Sequence, residues 1–465
     1  MKYTILIISL FIATFSSHAQ LKHALRDENG RHTIQRGFVV VTNDGNFNPD
    51  DYLRMVRLGA NAQVIRLELG KLSNFPDAKL DPKYLLKLDT LVKLGKNAGM
   101  KTVFKMTVYG VTKFSWEELW SNKNNEQQTY IDAWKVVWNR YKDEKSVLGY
   151  DLVNEPRKLS MDISYNDLTN KHLLPLYEKI IDENNKINDK KLCLIQSIFM
   201  NKGEAINGNQ YAEITQPISR KNILFAPHIY QEQKHLVKNT MLRFDKESDM
   251  LAAPIYIGEW GFPTFDVTDS TMTGKLGQLN YMDFYMRTAE LFDSLGVNSI
   301  KAWFSGNPTK QHFMAGGPST WAIFSDNNAI GTVERKYITD IIARPYPQTI
   351  AGDIMSFKYD FATRSLNVSL MSDNSKGLST IFVGANRHYP DGFTVLCDNT
   401  IMMCYNPLKS AANKASSINK NNKQSDFSWD ETRQQLNIRQ WPLDKSLLSL
   451  KIVPGINNIE INQKQ

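Results

Sequence analysis

Gly149-Tyr-Asp-Leu-Val-Asn154-Glu155-Pro156 is the stretch on which the reading of this chain turns. Its first residues are apolar enough for a strand buried on both faces, and Pro156, which has no amide hydrogen to give to a ladder, ends it. An amide and a carboxylate, Asn154 and Glu155, are left where the chain leaves the strand. A second run has the same design: Ile255-Tyr-Ile-Gly258-Glu259-Trp260-Gly261 is a short apolar strand that delivers Glu259 at its end.

Working outward from these two, short apolar runs alternate with longer amphipathic stretches between residue 37 and about residue 304. Eight runs can be counted: Gly37–Val41, Ala62–Leu67, Lys101–Met106, Leu148–Val153, Leu192–Gln196, Ile223–Pro227, Pro254–Gly258 and Ser299–Phe304. Helical patterns fill the intervals. Asp81–Ala98 has Pro82 in its first turn and Gly99 past its end, and Leu279–Leu295 is stopped by Gly296. Eight strand–helix units imply an α/β fold whose parallel sheet closes on itself, the (β/α)8 TIM barrel, rather than an open sheet. After Arg344-Pro-Tyr-Pro347 the texture turns to alternation, as in Ser365-Leu-Asn-Val-Ser-Leu370, with no helical period. The barrel is therefore expected over residues 20–343 and a small antiparallel β-sandwich domain over 344–465. Within the latter, the Lys/Asn/Ser tract Lys409–Asp426 is too polar to pack and reads as a loop.

At the start, Met1-Lys2-Tyr3, the apolar run from Ile5 to Phe15 and the small-x-small triplet Ser17-His18-Ala19 read as a signal peptide over residues 1–19. Cleavage there would leave a secreted or periplasmic protein. A formal net charge of +8 is spread over surface loops, such as the lysines at 186–191, and does not form the basic patch that nucleic acid requires. Peripheral contact with an anionic membrane stays open, and a monomer is expected. Of the three cysteines, Cys193 sits in an apolar strand, while Cys397 and Cys404 are spaced to face each other across a hairpin, as a bridge or as two thiols. No zinc-type His/Glu helix motif and no Gly-rich phosphate loop occurs, so neither metal nor other cofactor is expected.

In such barrels the chemistry sits at the C-terminal ends of the strands. Strands four and seven bring Glu155 and Glu259 to one mouth from facing sides. Glycosidic cleavage requires one carboxyl group to protonate the leaving oxygen and a second to attack or stabilise the anomeric carbon. Singly, Glu155 is equally a surface acid after a strand and Glu259 equally a salt-bridged barrel residue; two at matching levels favour the catalytic pair.

The company these two keep completes a pattern. Arg66 ends strand two in Gln63-Val-Ile-Arg66, His228 and Tyr230 lie in Pro227-His-Ile-Tyr230 on strand six, and Trp303 lies in Ala302-Trp-Phe304 on strand eight. With Asn154-Glu155 and Glu259, this set resembles glycoside hydrolase family five, the cellulase family of clan A. Arg344-Pro-Tyr-Pro-Gln-Thr-Ile-Ala-Gly352 and Arg387-His-Tyr-Pro-Asp-Gly-Phe-Thr-Val395 are similar to the C-terminal sandwich of its endoglycoceramidase and glycosylceramidase-like members.

The resemblance implies a retaining β-glycoside hydrolase that works through a glycosyl-enzyme without a metal. It implies Glu155 as general acid/base and Glu259 as nucleophile, with Arg66 and Tyr230 holding and orienting Glu259. Asn154 would bind the 2-hydroxyl of the cleaved sugar, His228 would support the acid/base, and Trp303 would floor the sugar site. Against these stand a core salt bridge for Arg66, a core imidazole for His228 and plain packing for Trp303. The substrate it implies is a glycosphingolipid-like β-glycoside. An endo-β-glucanase, mannanase or exo-β-glycosidase acting on a plant or microbial glycan is the alternative, and a non-catalytic glycan- or lipid-binding barrel the second. A lipid product needs an apolar groove, for which Phe114, Trp116, Trp120, Phe262, Phe265 and the loop from Phe313-Met314 to Trp321 are candidates.

One position departs from the pattern. Family five carries Asp-x-His at the end of strand three, with the His lining the sugar site, whereas this chain reads Lys105-Met106-Thr107. Thr107 is expected to replace one hydrogen bond to the sugar. Lys105 either meets an anionic substrate group or pairs with Glu68.

Overall fold

The computed structural model describes residues 21–41, 47–75, 77–159, 161–200, 211–230, 236–261, 275–302, 304, 323, 334, 336–408, 415–417 and 426–455. The signal peptide expected over residues 1–19 lies outside them. Among the described residues no helix is long and apolar enough to cross a membrane.

The barrel strands are β1 Arg36–Val41, β2 Ala62–Glu68, β3 Lys101–Thr107, β4 Val147–Asp151 and β5 Leu192–Ile195. They continue with β6, in two pieces Ile223–Phe225 and His228–Ile229, then β7 Tyr256–Trp260 and β8 Asn298–Lys301. Each pairs in parallel with the next, and β8 returns to β1. The first piece of β6 pairs with β5 and the second with β7, and a parallel bridge from Phe225 to Ile255 helps close the sheet. The expected barrel is therefore present.

Alternation explains what fills it. Val39, Ala62, Val64, Val103, Leu194, Leu224, Tyr256 and Ile300 form one buried cluster. Two residues further along β2, β3 and β4, on the same inward faces, stand Arg66, Lys105 and Asp151, all buried. An apolar plug is thus capped by a charged layer. Gly37 and Gly149 allow the strands to close, because a Cβ at either would fall 1.7 Å from the Ala62 oxygen or 2.2 Å from the Leu192 oxygen.

Two six-stranded antiparallel sheets form the second domain. One holds Tyr346–Ile350, Ser379–Phe382, Gln435–Gln440 and Asp426–Asp430, the other Gly352–Asp360, Ser365–Ser372, Leu447–Pro454, Phe393–Cys397, Thr400–Tyr405 and Ala415–Ser417. The first sheet is extended by a hairpin from the start of the chain, Leu25–Arg26 with His32–Thr33, whose His32 and Thr33 pair with Ile350 and Thr349. These residues lie before the barrel in sequence but belong to the sandwich in space. Ala415–Ser417 is a strand inside the tract read as a loop, paired with Met403–Tyr405.

Cys397 and Cys404 do not face each other. The hairpin register sets Cys404 opposite Thr394 and, past a bulge between Val395 and Leu396, Cys397 opposite Thr400, and all three cysteines are free and buried.

Where the domains meet, Asp293 is buried between two arginines. Its Oδ1 lies 2.5 Å from Arg36 Nη2, and its Oδ2 accepts from Arg344 Nε at 2.8 Å. The Arg36 guanidinium also sits 3.7 Å over the Tyr346 ring.

Candidate active site

Beyond β4 the chain turns out of the barrel through Asn154 and Glu155. Glu155 adopts φ +44°, a left-handed conformation that an L side chain takes only under constraint from its surroundings. Its carboxyl group is partly open, with Oε1 3.0 Å from His228 Nδ1 and Oε2 3.8 Å from Arg157 Nη2. Glu259 lies within β7, where a register shift between Ile257 and Trp260 breaks the regular alternation. Its carboxylate is buried. Oε2 accepts from the Tyr230 hydroxyl at 2.6 Å and Oε1 from Lys105 Nζ at 2.9 Å. His228 stands between the pair, and one oxygen of each glutamate and a ring nitrogen all lie within 4.8 Å of one another.

Glu259 and Asp151 are shifted in opposite directions by their surroundings. Burial alone would push Glu259 up, but the positive charges of Lys105 and Arg66 and the Tyr230 hydrogen bond act against it and prevail. They hold its carboxyl well below the ordinary carboxylate range, so Glu259 is an anion. Asp151, deeper in the barrel, is pushed up by burial more than Lys105 pulls it down.

Arg66, Asn154, Glu155, His228, Tyr230 and Glu259 are thus brought to one mouth, as the sequence predicts. Arg66 is buried with its guanidinium 4.9 Å from the Tyr109 ring centre. Asn154 donates its backbone N–H to the Met106 carbonyl at 3.0 Å, while its side-chain Oδ1 has no hydrogen-bond partner among the described residues. A buried acceptor left open beside Glu155 is suited to a substrate hydroxyl. Trp303 lies outside the described residues.

Two expectations need correction, and a third is narrowed. Thr107 donates its only O–H to the Leu67 carbonyl at 2.6 Å, so toward a sugar its hydroxyl offers only an acceptor. Lys105 does not pair with Glu68; alternation turns it inward onto Glu259. Trp116 and Trp120 are buried, stacked at 5.5 Å with Phe114 edge-on to Trp116, and form an internal prop rather than a groove. Trp120 Nε1 donates to the Arg157 carbonyl at 2.9 Å and so supports the loop after Glu155. Phe262, Phe265, Phe313, Met314 and Trp321 lie outside the described residues.

Lys105, Asp151 and Arg157 were not selected as site residues from sequence. The signal for the first two was the strand period itself, since Val103-x-Lys105 and Gly149-x-Asp151 share inward faces. The spacing of Glu155, His228 and Glu259 is one at which an ion can be held. Lys105 Nζ, 2.9 Å from both His228 Nε2 and Glu259 Oε1, already supplies a positive charge there and opposes a second one.

A barrel with paired carboxylates at its mouth and a trailing sandwich defines the class, an O-glycosyl hydrolase. Residues 27–292 match the model of the cellulase family, glycosyl hydrolase family 5, and residues 344–441 match the glycoside hydrolase family 5 C-terminal domain. The chain belongs to glycosyl hydrolase family 5. It is 23% identical over 345 residues to an endoglycoceramidase of Cyanea nozakii, an alignment that covers 70% of this chain and 62% of that protein. Among solved structures it resembles endo-glycoceramidase II from Rhodococcus sp., with TM-score 0.68 and 15% identity over 93% of this chain and 100% of that one. A sterylglucosidase of Cryptococcus neoformans shares the fold at TM-score 0.62 and 10% identity, over 94% of this chain and 97% of that one.

Proposed function

We propose that this protein is an exported retaining β-glycosidase that cleaves the bond between a glycan and a lipid in glycosphingolipid-like substrates. Glu155 protonates the leaving oxygen while Glu259 attacks the anomeric carbon; water, deprotonated by Glu155, then releases the sugar from Glu259. The observation that carries the mechanism is the pair itself, a buried anion and a more open carboxyl group with oxygens within 4.8 Å of each other. Inverting enzymes separate the two carboxyl groups by about 6.5 to 9.5 Å to admit a water, and retaining ones by about 5 Å. Asn154 Oδ1 accepts a sugar hydroxyl, and Tyr230 and Arg66 keep Glu259 oriented and charged.

The lipid aglycone is supported by the Cyanea nozakii endoglycoceramidase and by the Rhodococcus fold, which was solved in complex with ganglioside GM3. Two observations favour a second reading, a glycan or other aglycone: Lys105-Met106-Thr107 stands in place of Asp-x-His, and the Trp116–Trp120 pair lies inside the protein.

The test is incubation with a panel of glycosylceramides and fluorogenic β-glycosides, with the product anomer followed by proton NMR. Release of a glycan from a glycosylceramide, appearing first as the β-anomer, is expected. Turnover of soluble glycosides alone selects the second reading, an α-anomer first overturns retention, and glycan binding with no turnover makes the chain a binding protein. Export predicts a mature N-terminus at Gln20 outside the cytoplasm. A cytoplasmic chain beginning at Met1 contradicts it.

A further inference from the structure

Lys105 is fully buried on the inward face of β3. Its Nζ stands 2.9 Å from Glu259 Oε1, 3.2 Å from the Gly258 carbonyl oxygen and 2.9 Å from His228 Nε2. A lysine ammonium has three N–H donors and no acceptor. An ammonium can only donate, so Nε2 of His228 accepts and the ring proton belongs on Nδ1. That Nδ1–H points at Glu155 Oε1, 3.0 Å away.

Building on the roles proposed for the two glutamates, we infer that Lys105 is a positioning residue for both. It anchors Glu259 Oε1 directly, and by fixing the tautomer of His228 it presents a hydrogen-bond donor to Glu155. The chain Glu259–Lys105–His228–Glu155 links the two carboxyl groups across the mouth. Asp151 Oδ2, 3.5 Å from Nζ, stays beside the ammonium when Glu259 loses its charge in the glycosyl ester. This arrangement occupies the strand-three position where the family has Asp, and Thr107, at the His position, takes no part in it.

Glu259 is faced by Arg66 from β2, Lys105 from β3, Asp151 from β4 and Glu155 beyond it, His228 from β6 and Tyr230 just after it, and Tyr211. Without Lys105, Arg66 is the one lysine or arginine in that set, against three acids. Glu259 then protonates at higher pH, and His228 is free to carry its proton on Nε2.

Lys105→Met alone would leave Asp151 buried without its partner, so the test variant is Lys105→Met with Asp151→Asn, which removes both charges. It should fold, yet lose about 100-fold in kcat/KM on a β-glycoside. The acidic limb of its kcat/KM–pH profile should move up by about one to two units relative to Asp151→Asn. A limb that stays in place overturns the inference, because loss of packing alone does not move it. The wild-type protein supplies a second measurement that needs no substrate and holds even if the variant fails to fold. Nitrogen-15 histidine spectra near neutral pH, assigned with His228→Gln, should show His228 protonated on Nδ1 and bare on Nε2; a proton on Nε2 overturns the inference. If wild-type protein turns over no glycoside, the proposed function fails, and the spectra still decide the role of Lys105.

Discussion

Each oxygen of Glu259 has its own donor, and the two donors differ in kind. Tyr230 brings a neutral hydroxyl to Oε2 and Lys105 a cation to Oε1. A hydrogen bond to a charged group contributes about 1.5 to 3 kcal/mol, so Tyr230→Phe should lower kcat/KM by about 10- to 100-fold. The sign of the pH effect follows from the direction of the shift. Glu259 is held below the ordinary range by groups that favour its anion, and removing one of them raises it. The acidic limb of the Tyr230→Phe profile should therefore rise, which a kcat/KM–pH series checks. Glu155 and Glu259 were legible in the sequence because strand ends are local features, marked by Pro156 and Gly258. Lys105 was not, because its partner lies 154 residues away on a strand across the barrel. The departure from Asp-x-His singled it out, but only the count of inward-facing positions along β3 pointed to its place beside Glu259.

At the scale of elements, the eight strands were legible to within a few residues because apolar runs between helical periods are a strong signal. Two details were not. The second piece of β6, His228–Ile229, carries on past Pro227 as a partner of β7, and the irregularity in β7 keeps Glu259 inside the strand rather than beyond its end. Both depend on how neighbouring strands close the ring, which no single run encodes. The helix Leu236–Leu251 offers a test of buried charge away from the site. Its Glu247 accepts from the Ile214 N–H at 3.1 Å, and burial pushes its carboxyl up to about 7. An acid raised on folding weakens the fold as pH climbs from the unfolded value to the folded one. Glu247→Gln should thus be more stable than the wild type at pH 8, by up to about 3 kcal/mol, with the difference shrinking below about pH 4.5. Urea unfolding at the two pH values measures it, and an equal effect at both contradicts the linkage.

For the molecule as a whole, the change of texture after Arg344 marked the second domain, but the hairpin Leu25–Thr33 escaped because strands of two residues have no period to read. That hairpin and the Arg36–Asp293–Arg344 cluster tie the barrel to the sandwich. Asp293→Ala leaves two buried guanidinium groups unpaired and should cost about 3 to 5 kcal/mol, seen as a lower midpoint in urea. A midpoint unchanged from the wild type would show that the cluster does not hold the domains together. In the proposed mechanism the barrel and its charged layer hold one anion and one proton donor close together, and that claim has a direct measurement. Glu259→Ala should lose turnover of a β-glycoside and regain it with added azide, yielding the α-glycosyl azide, because azide enters from the face that the carboxylate has vacated. Normal turnover by Glu259→Ala, or a β-glycosyl azide as product, would contradict the assignment of Glu259 as the nucleophile.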